Sequence, residues 1–370
     1  MPLDSGSVPS SAQIPLVDVK AQYERLIPRI QERIAEVLDS GVFILGPNVK
    51  AFEAETAALL GVPRTVGVAN GTDALVLALD AMGIGPGDEV ICPSFTFYAT
   101  AESIARRGAT PVFADIDPVT LNLDPEDVAA RVTDRTRALM PVHLFGRVMP
   151  LGELAQLGIP IVEDAAQAFG AKGVAQAGVL STFSFFPTKN LFALGDGGLV
   201  AAMDEELADR IALLRFHGSR EKKNFEAVGY NSRLDELQAA VLRLFLAELE
   251  GWNRARREAA ERYEELGLGE LCELPSDETG HVYHMYVVRS PERDRLRDAL
   301  ASAGIGHASY YVTPTHLQPA LRYLGWKEGS LPETERAAAE NLALPMWAGI
   351  SADVQERVVA VIREAAAVRA

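Results

Sequence analysis

One lysine stands inside the run Ser181 to Leu199, which reads STFSFFPTKNLFALGDGGL, and its neighbours bias its chemistry. Thr182 to Phe186 has the β-branched and aromatic content of a strand, and Pro187 prevents that strand from continuing. Beyond the lysine, Gly195-Asp196-Gly197-Gly198 can take backbone angles closed to other residues. Lys189 is therefore expected on an irregular loop with rigid punctuation at both ends. Among Phe185, Phe186, Leu191 and Phe192 its amine loses hydration, and its pKa falls. A neutral amine is the form Schiff-base chemistry needs. Alone, such a lysine reads better as a surface residue at a turn, but a second feature changes the balance. Ile159-Pro160-Ile161-Val162-Glu163-Asp164 is an apolar strand ending in acids. Carboxylates at the carboxyl end of a strand in an open α/β sheet face the ligand crevice, although such acids also cap helices. Pyridoxal phosphate requires a lysine for its aldehyde and an acid for its ring nitrogen, and Lys189 with Asp164 can supply both.

The elements around this pair are consistent with a cofactor crevice. Thr65 to Val68 reads as a buried strand, breaks at Asn70-Gly71-Thr72-Asp73, and continues as a helix through Met82. The start of such a helix is an anion site, where the backbone N–H groups of Gly71 and Thr72 can hold a phosphate. Thr72 and Asp73 also serve as ordinary helix caps. Strand candidates at 90–92, 111–114 and 138–142 alternate with helix candidates, which implies βαβ units and a mainly parallel sheet. Right-handed crossovers then gather the loops at one edge. Pro93 to Tyr98 follows a strand and offers an aromatic ring for stacking, while His143 ends another and reads first as a satisfied buried histidine. A helix opens near Ser232 and is expected to run on to Tyr263, joining the large domain to a smaller one. Past Gly267 the pattern changes to α+β, with Val282 to Val288 (VYHMYVV) alternating as a strand.

Composition narrows the class. The 370 residues carry 51 acidic against 35 basic side chains, a net charge of −16, which disfavours nucleic acid. No apolar run reaches membrane-spanning length. The two cysteines, Cys92 and Cys272, match no metal or redox spacing, so no metal is expected and a reducing cytoplasm fits. Residues 1–13 read as a flexible tail, 14–250 as a large domain and 251–370 as a small C-terminal domain.

Lys189 within FFPTKN…GDGG, preceded by Glu163-Asp164-Ala165-Ala166-Gln167-Ala168-Phe169-Gly170-Ala171, resembles the DegT/DnrJ/StrS family of pyridoxal-phosphate sugar aminotransferases. The similarity extends from about Ile14 to the last helix. It implies an α/β, aspartate-aminotransferase-like (fold type I) large domain with a mainly parallel central sheet, plus a smaller α+β C-terminal domain. It also implies that Lys189 holds pyridoxal 5'-phosphate and moves protons, and that Asp164 keeps the pyridine nitrogen protonated. Phe97 would stack on the ring, and Gln167 would lie near its hydroxyl. Gly71, Thr72 and Ser184 would hold the phosphate, joined by Asn231 from the partner of a homodimer. The implied reaction moves an amine from glutamate or glutamine to a nucleotide-linked keto sugar. HGSREKKNF…GYNSRLDELQAAVL…GWNRARR resembles enzymes acting on 3-keto thymidine-diphosphate 6-deoxyhexoses more than 4-keto ones, with uridine-diphosphate sugars and keto-cyclitols as alternatives. His217, Arg220, Tyr311 and His316 are candidate substrate contacts. Family dehydratases carry histidine where this chain has Lys189, so transamination is preferred over dehydration, and a non-catalytic regulator is disfavoured. The chain departs from the family at Phe192, often glycine, and at Val312, usually proline in the YYPxPLHLQPA-like segment Tyr310 to Ala320. Both departures bear on the substrate rather than on the core chemistry.

Overall fold

The computed structural model describes residues 13–275 and 280–367, so all of the expected tail except Gln13 lies outside the described residues. Seven strands form the centre of the large unit: β1 Arg64–Val68, β2 Glu89–Pro93, β3 Thr110–Ala114, β4 Thr136–Leu139, β5 Val162–Asp164, β6 Leu180–Ser184 and β7 Gly198–Ala202. They pair in the orders β1-β7-β6-β5 and β3-β2-β4. Parallel bridges Leu139–Ile161 and Val142–Asp164 join the two groups at β4 and β5. β7 alone runs against the rest, pairing antiparallel with both β1 and β6. The mainly parallel sheet is therefore as expected, with one reversed strand that the Gly-rich sequence concealed.

Strands this continuously buried must be covered on both faces. One face carries helices Gly71–Ala81, Ala99–Arg106 and Glu205–Leu214. The other packs Phe169, Phe183 and Phe185 against helices Ile27–Ser40, Pro47–Leu60 and Glu236–Leu246. A separate core unites Ile14, Tyr263, Leu300 and Ile362 around the antiparallel pair β8 Tyr286–Arg289 and β9 Asn341–Leu344. Ile14 bridges Ile305, so the start of the described chain packs with its C-terminal part rather than with the sheet it precedes.

Two expectations are corrected. The long helix from Ser232 to Tyr263 is two, Glu236–Leu246 and Leu249–Glu265. The Glu248 N–H bonds the Phe245 carbonyl only three residues back, and the Glu248 carboxylate is drawn to Arg25 and Arg29 of the neighbouring helical segment. The alternating run Val282 to Val288 becomes a strand only from Tyr286. Tyr283 takes φ 39°, a left-handed angle costly for an aromatic residue, and the preceding half turns away from the ladder. That half closes over Lys189 instead.

Because six strands run one way, their carboxyl ends deliver Asn70, Phe97, Asp164 and Ser184 to one edge of the sheet. β7, being reversed, contributes its preceding loop, and with it Asp196, to the same edge.

Candidate active site

A cavity of about 570 Å³ lies at this edge. Its wall brings together Gly71, Thr72, Phe97, Asp164, Gln167, Ser184, Lys189 and Tyr311, eight of the twelve residues singled out from the sequence.

Lys189 sits where Pro187 turns the chain out of β6, its N–H bonded to the Phe186 carbonyl at 2.8 Å. Its loop is pinned from the next residue. Asn190 is buried and donates through Nδ2 to Asn253 Oδ1 at 2.8 Å and to the Val282 carbonyl at 2.7 Å. Of the apolar residues flanking Lys189 in sequence, Phe185 packs against Phe52 and Phe169 and Phe192 stacks on Trp252, whereas Phe186 is exposed at the cavity wall. Burial pushes the Lys189 amine down to about 8, and the Asp164 carboxylate opposes that fall. Asp164 ends β5 and is itself buried. Burial pushes its carboxyl up, while Thr100 Oγ1–H (2.8 Å), the Ala166 N–H (3.2 Å) and the Lys189 charge hold it toward the ionised form.

The corner at the helix start is shaped by an absence of side chain. A Cβ on Gly71 would lie 2.6 Å from Ser184 Cβ, closer than real atoms approach, so only glycine admits Ser184 here. Asn70 caps the helix by accepting from the Asp73 N–H, which leaves the first turn's N–H groups of Gly71 and Thr72 at the cavity wall. Gln167 accepts from the Phe145 N–H at 2.8 Å and donates to the Tyr311 hydroxyl at 3.2 Å, a chain that fixes both side chains. Phe97 is exposed and tilts against Tyr311.

Four sequence candidates lie outside this wall. Asn231 is exposed and shares a smaller hollow of about 480 Å³ with Asn70 and Asp196. His217, at φ 63°, ends the segment after helix Glu205–Leu214, and its N–H bonds the Tyr230 carbonyl. Arg220 is exposed and faces Glu226 at 3.5 Å. His316 is buried, with Nδ1 2.6 Å from Ser94 Oγ and Nε2 3.2 Å from Glu335, so its ring is committed to packing the C-terminal part onto β2's exit.

The geometry also shows residues that the motifs did not mark. Thr100 orients Asp164, and His284 places Nε2 3.4 Å from Lys189 Nζ. Thr96, in the loop before helix Ala99–Arg106, lies four residues ahead of Thr100 with the two hydroxyls 3.1 Å apart, and that spacing of polar residues was the only sequence signal for the first. Glu163 proves structural. It collects the N–H groups of Ala175 and Gly178 and faces His143, whose Nδ1 accepts from the Met149 N–H and whose Nε2–H therefore donates to Glu163 at 2.8 Å.

An amine and a buried carboxylate thus share the carboxyl edge of a mixed α/β sheet, beside a helix start, an arrangement suited to Schiff-base chemistry. The chain belongs to the DegT/DnrJ/EryC1/StrS aminotransferase family, whose family model matches residues 25–363, and it is an enzyme of the aminotransferase class. It is 44% identical over 367 residues to the dTDP-3-amino-3,4,6-trideoxy-alpha-D-glucose transaminase of Streptomyces venezuelae, covering 95% of this chain and 96% of that one. It is 47% identical over 364 residues to a pleiotropic regulatory protein of Geobacillus stearothermophilus, covering 95% and 98%. Among solved structures it matches S. venezuelae DesV in complex with a ketimine intermediate, with a TM-score of 0.93 and 44% identity over 96% of this chain and 99% of that one. The fold is that of the type I sugar aminotransferases.

Proposed function

We propose that this chain binds pyridoxal 5'-phosphate in the cavity and transfers an amino group from glutamate or glutamine to a nucleotide-linked keto sugar. A 3-keto thymidine-diphosphate 6-deoxyhexose is the preferred acceptor. One observation carries the reading: the single lysine among the described residues of the cavity wall, Lys189, shares that wall with the buried strand-end carboxylate Asp164, beside a helix start stripped of side chain at Gly71.

The residues fit the cofactor. When bound, it supplies an aldehyde for amine exchange and an electron-withdrawing ring. The N–H groups of Gly71 and Thr72 and the Ser184 hydroxyl hold its phosphate. Asp164 keeps a proton on its ring nitrogen, and that cation in turn favours the ionised carboxylate against the cost of burial. Phe97 supplies an exposed ring for stacking, and Gln167 is held by Phe145 and Tyr311 to meet a ring hydroxyl. Lys189, lowered to about 8, can accept and return protons near neutral pH, as a general base and acid must.

Asn231, His217 and Arg220 serve a neighbouring subunit in this reading. The bridge between Phe216 and Asn231 puts these residues along one edge outside their own cavity. Apolar Ile44 and Leu194 are exposed nearby, Ile44 bridging Asp235 and Leu194 bonding Gln238. Exposed apolar groups beside a polar reach of this kind suit a homodimer with shared sites. Tyr311 remains a substrate contact, and His316 is not retained as one.

The test is an absorbance spectrum of the purified protein, with borohydride reduction and peptide mapping. A band at about 410–430 nm, as a lysine-bound aldehyde gives, with the label on Lys189, supports the reading. No band after adding pyridoxal phosphate sinks it. Screening nucleotide keto sugars with glutamate then separates thymidine from uridine diphosphates and 3-keto from 4-keto acceptors. Loss of a sugar hydroxyl without amine incorporation would instead indicate dehydration. Tight duplex DNA binding at physiological salt would favour a regulator, which a net charge of −16 opposes.

A further inference from the structure

His284 is buried at the cavity wall, and its Nε2 lies 3.4 Å from Lys189 Nζ. Its other ring nitrogen, Nδ1, is buried and has no hydrogen-bond partner. Two other buried histidines are bonded at both ring nitrogens. His143 is locked by the Met149 N–H on one side and Glu163 on the other, and His316 by Ser94 and Glu335. A ring with one free nitrogen can shift its tautomer at little cost. It can accept through Nε2 from a lysine ammonium, or donate through Nε2–H to a neutral lysine amine.

The surroundings disfavour a charge on this ring. Arg256, on helix Leu249–Glu265, is fully buried and bonds only neutral groups, the Gln22 side chain and the carbonyls of Tyr283 and Met346. No carboxylate pairs with it among the described residues. His284 feels two cationic groups, Lys189 and Arg256, and its pKa is held well below the ordinary histidine value by burial first and by those two charges next. The remaining titratable groups facing this pair across the cavity are Asp164, Asp196, Tyr310 and Tyr311. The backbone beneath the ring is held in place: Val282 N–H bonds the Gly146 carbonyl, and Gly146, at φ 100°, leaves no room for a Cβ against the His284 backbone nitrogen.

We propose that His284 is the positioning residue of Lys189, an imidazole that keeps a hydrogen bond to Nζ in both protonation states of the lysine by changing tautomer. This rests on Lys189 being the reacting amine, and it adds a second residue to that role.

The experiment follows Lys189 itself in the full-length, cofactor-free protein, by NMR of 13Cε-labelled lysine with the signal assigned through Lys189→Arg. An ammonium gains more from an acceptor than a neutral amine gains from a donor, since charge-assisted bonds are the stronger. His284→Leu therefore lowers the Lys189 midpoint by about one pH unit, and His284→Gln, which can still reach Nζ and flip its amide, restores most of it. His284→Asn keeps a polar buried side chain but is too short to reach Nζ, so it follows leucine and covers the case in which His284→Leu does not fold. In the loaded enzyme, leucine and asparagine lower kcat by about tenfold to a hundredfold with donor KM nearly unchanged, and glutamine recovers most of the loss. A Lys189 midpoint equal to wild type in the leucine or asparagine variant overturns the proposal. Borohydride labelling away from Lys189 would instead remove the reading on which it rests, so the two failures are distinguishable.

Discussion

Burying the Lys189 amine costs stability, and the cost depends on pH with a definite sign. The lysine's pKa falls from an ordinary 10.5 to about 8 in the fold, so between those values the unfolded chain binds more protons. Stability therefore rises as pH climbs through this window, and the full cost of burying the charge is present below about 8. Lys189→Met should stabilise the cofactor-free protein at pH 6 by roughly 1–2 kcal/mol in urea unfolding, with the gain fading toward pH 10. An equal gain at both pH values would show that packing rather than charge is responsible. Asp164→Asn keeps an acceptor for the Thr100 hydroxyl at 2.8 Å, so the fold should persist. Its turnover should drop at least about a hundredfold, because an amide cannot hold a proton on the ring nitrogen as a carboxylate does. A melting curve and a steady-state assay on the same preparation check both halves.

Among elements, the loop after β6 and the helix after β1 are held by few but specific contacts. Asn190 fastens the lysine loop to helix Leu249–Glu265 and to the segment carrying His284. Asn190→Ala leaves the buried Val282 carbonyl and Asn253 amide side chain without this partner. It should cost about 1–3 kcal/mol in denaturant unfolding and lower kcat through a looser Lys189. Gly71→Ala forces a Cβ to within 2.6 Å of Ser184 Cβ. The helix must shift, so cofactor affinity, titrated by absorbance, should weaken by about tenfold or more. Most of these elements could be read from the chain, because strand, turn and helix each carry local signals. The half-strand at 282–285 could not. Its alternation is that of a strand, and only the left-handed Tyr283 and its place over Lys189 redirect it.

At the scale of the whole molecule, the open question is what the edge bearing Asn231 meets. If that edge completes a neighbour's cavity, Lys189→Ala and Asn231→Ala damage different subunits' contributions to the same site. Each homodimer alone should be poorly active. Mixed and refolded together, half of the dimers are hybrids with one intact site of two, so activity should return to about a quarter of wild type. Sedimentation should show a dimer throughout. No recovery on mixing would place Asn231's role within its own chain. No helix among the described residues is long and apolar enough to cross a membrane.

The sequence by itself determined the chemistry-bearing pair, the helix start at Gly71 and the mainly parallel layout, because each rests on residues close together in the chain. Glycine, proline, apolar runs and a strand-end carboxylate act over a few residues, and their physics is local. Tertiary structure alone decided the rest. It reversed β7 into the sheet, committed His316 to packing, and set His217 and Arg220 outside the cavity. It also brought His284 to Lys189 across 95 residues. Such contacts depend on where independently folded segments meet, and a side chain's neighbours across that distance leave no pattern in its own stretch of sequence.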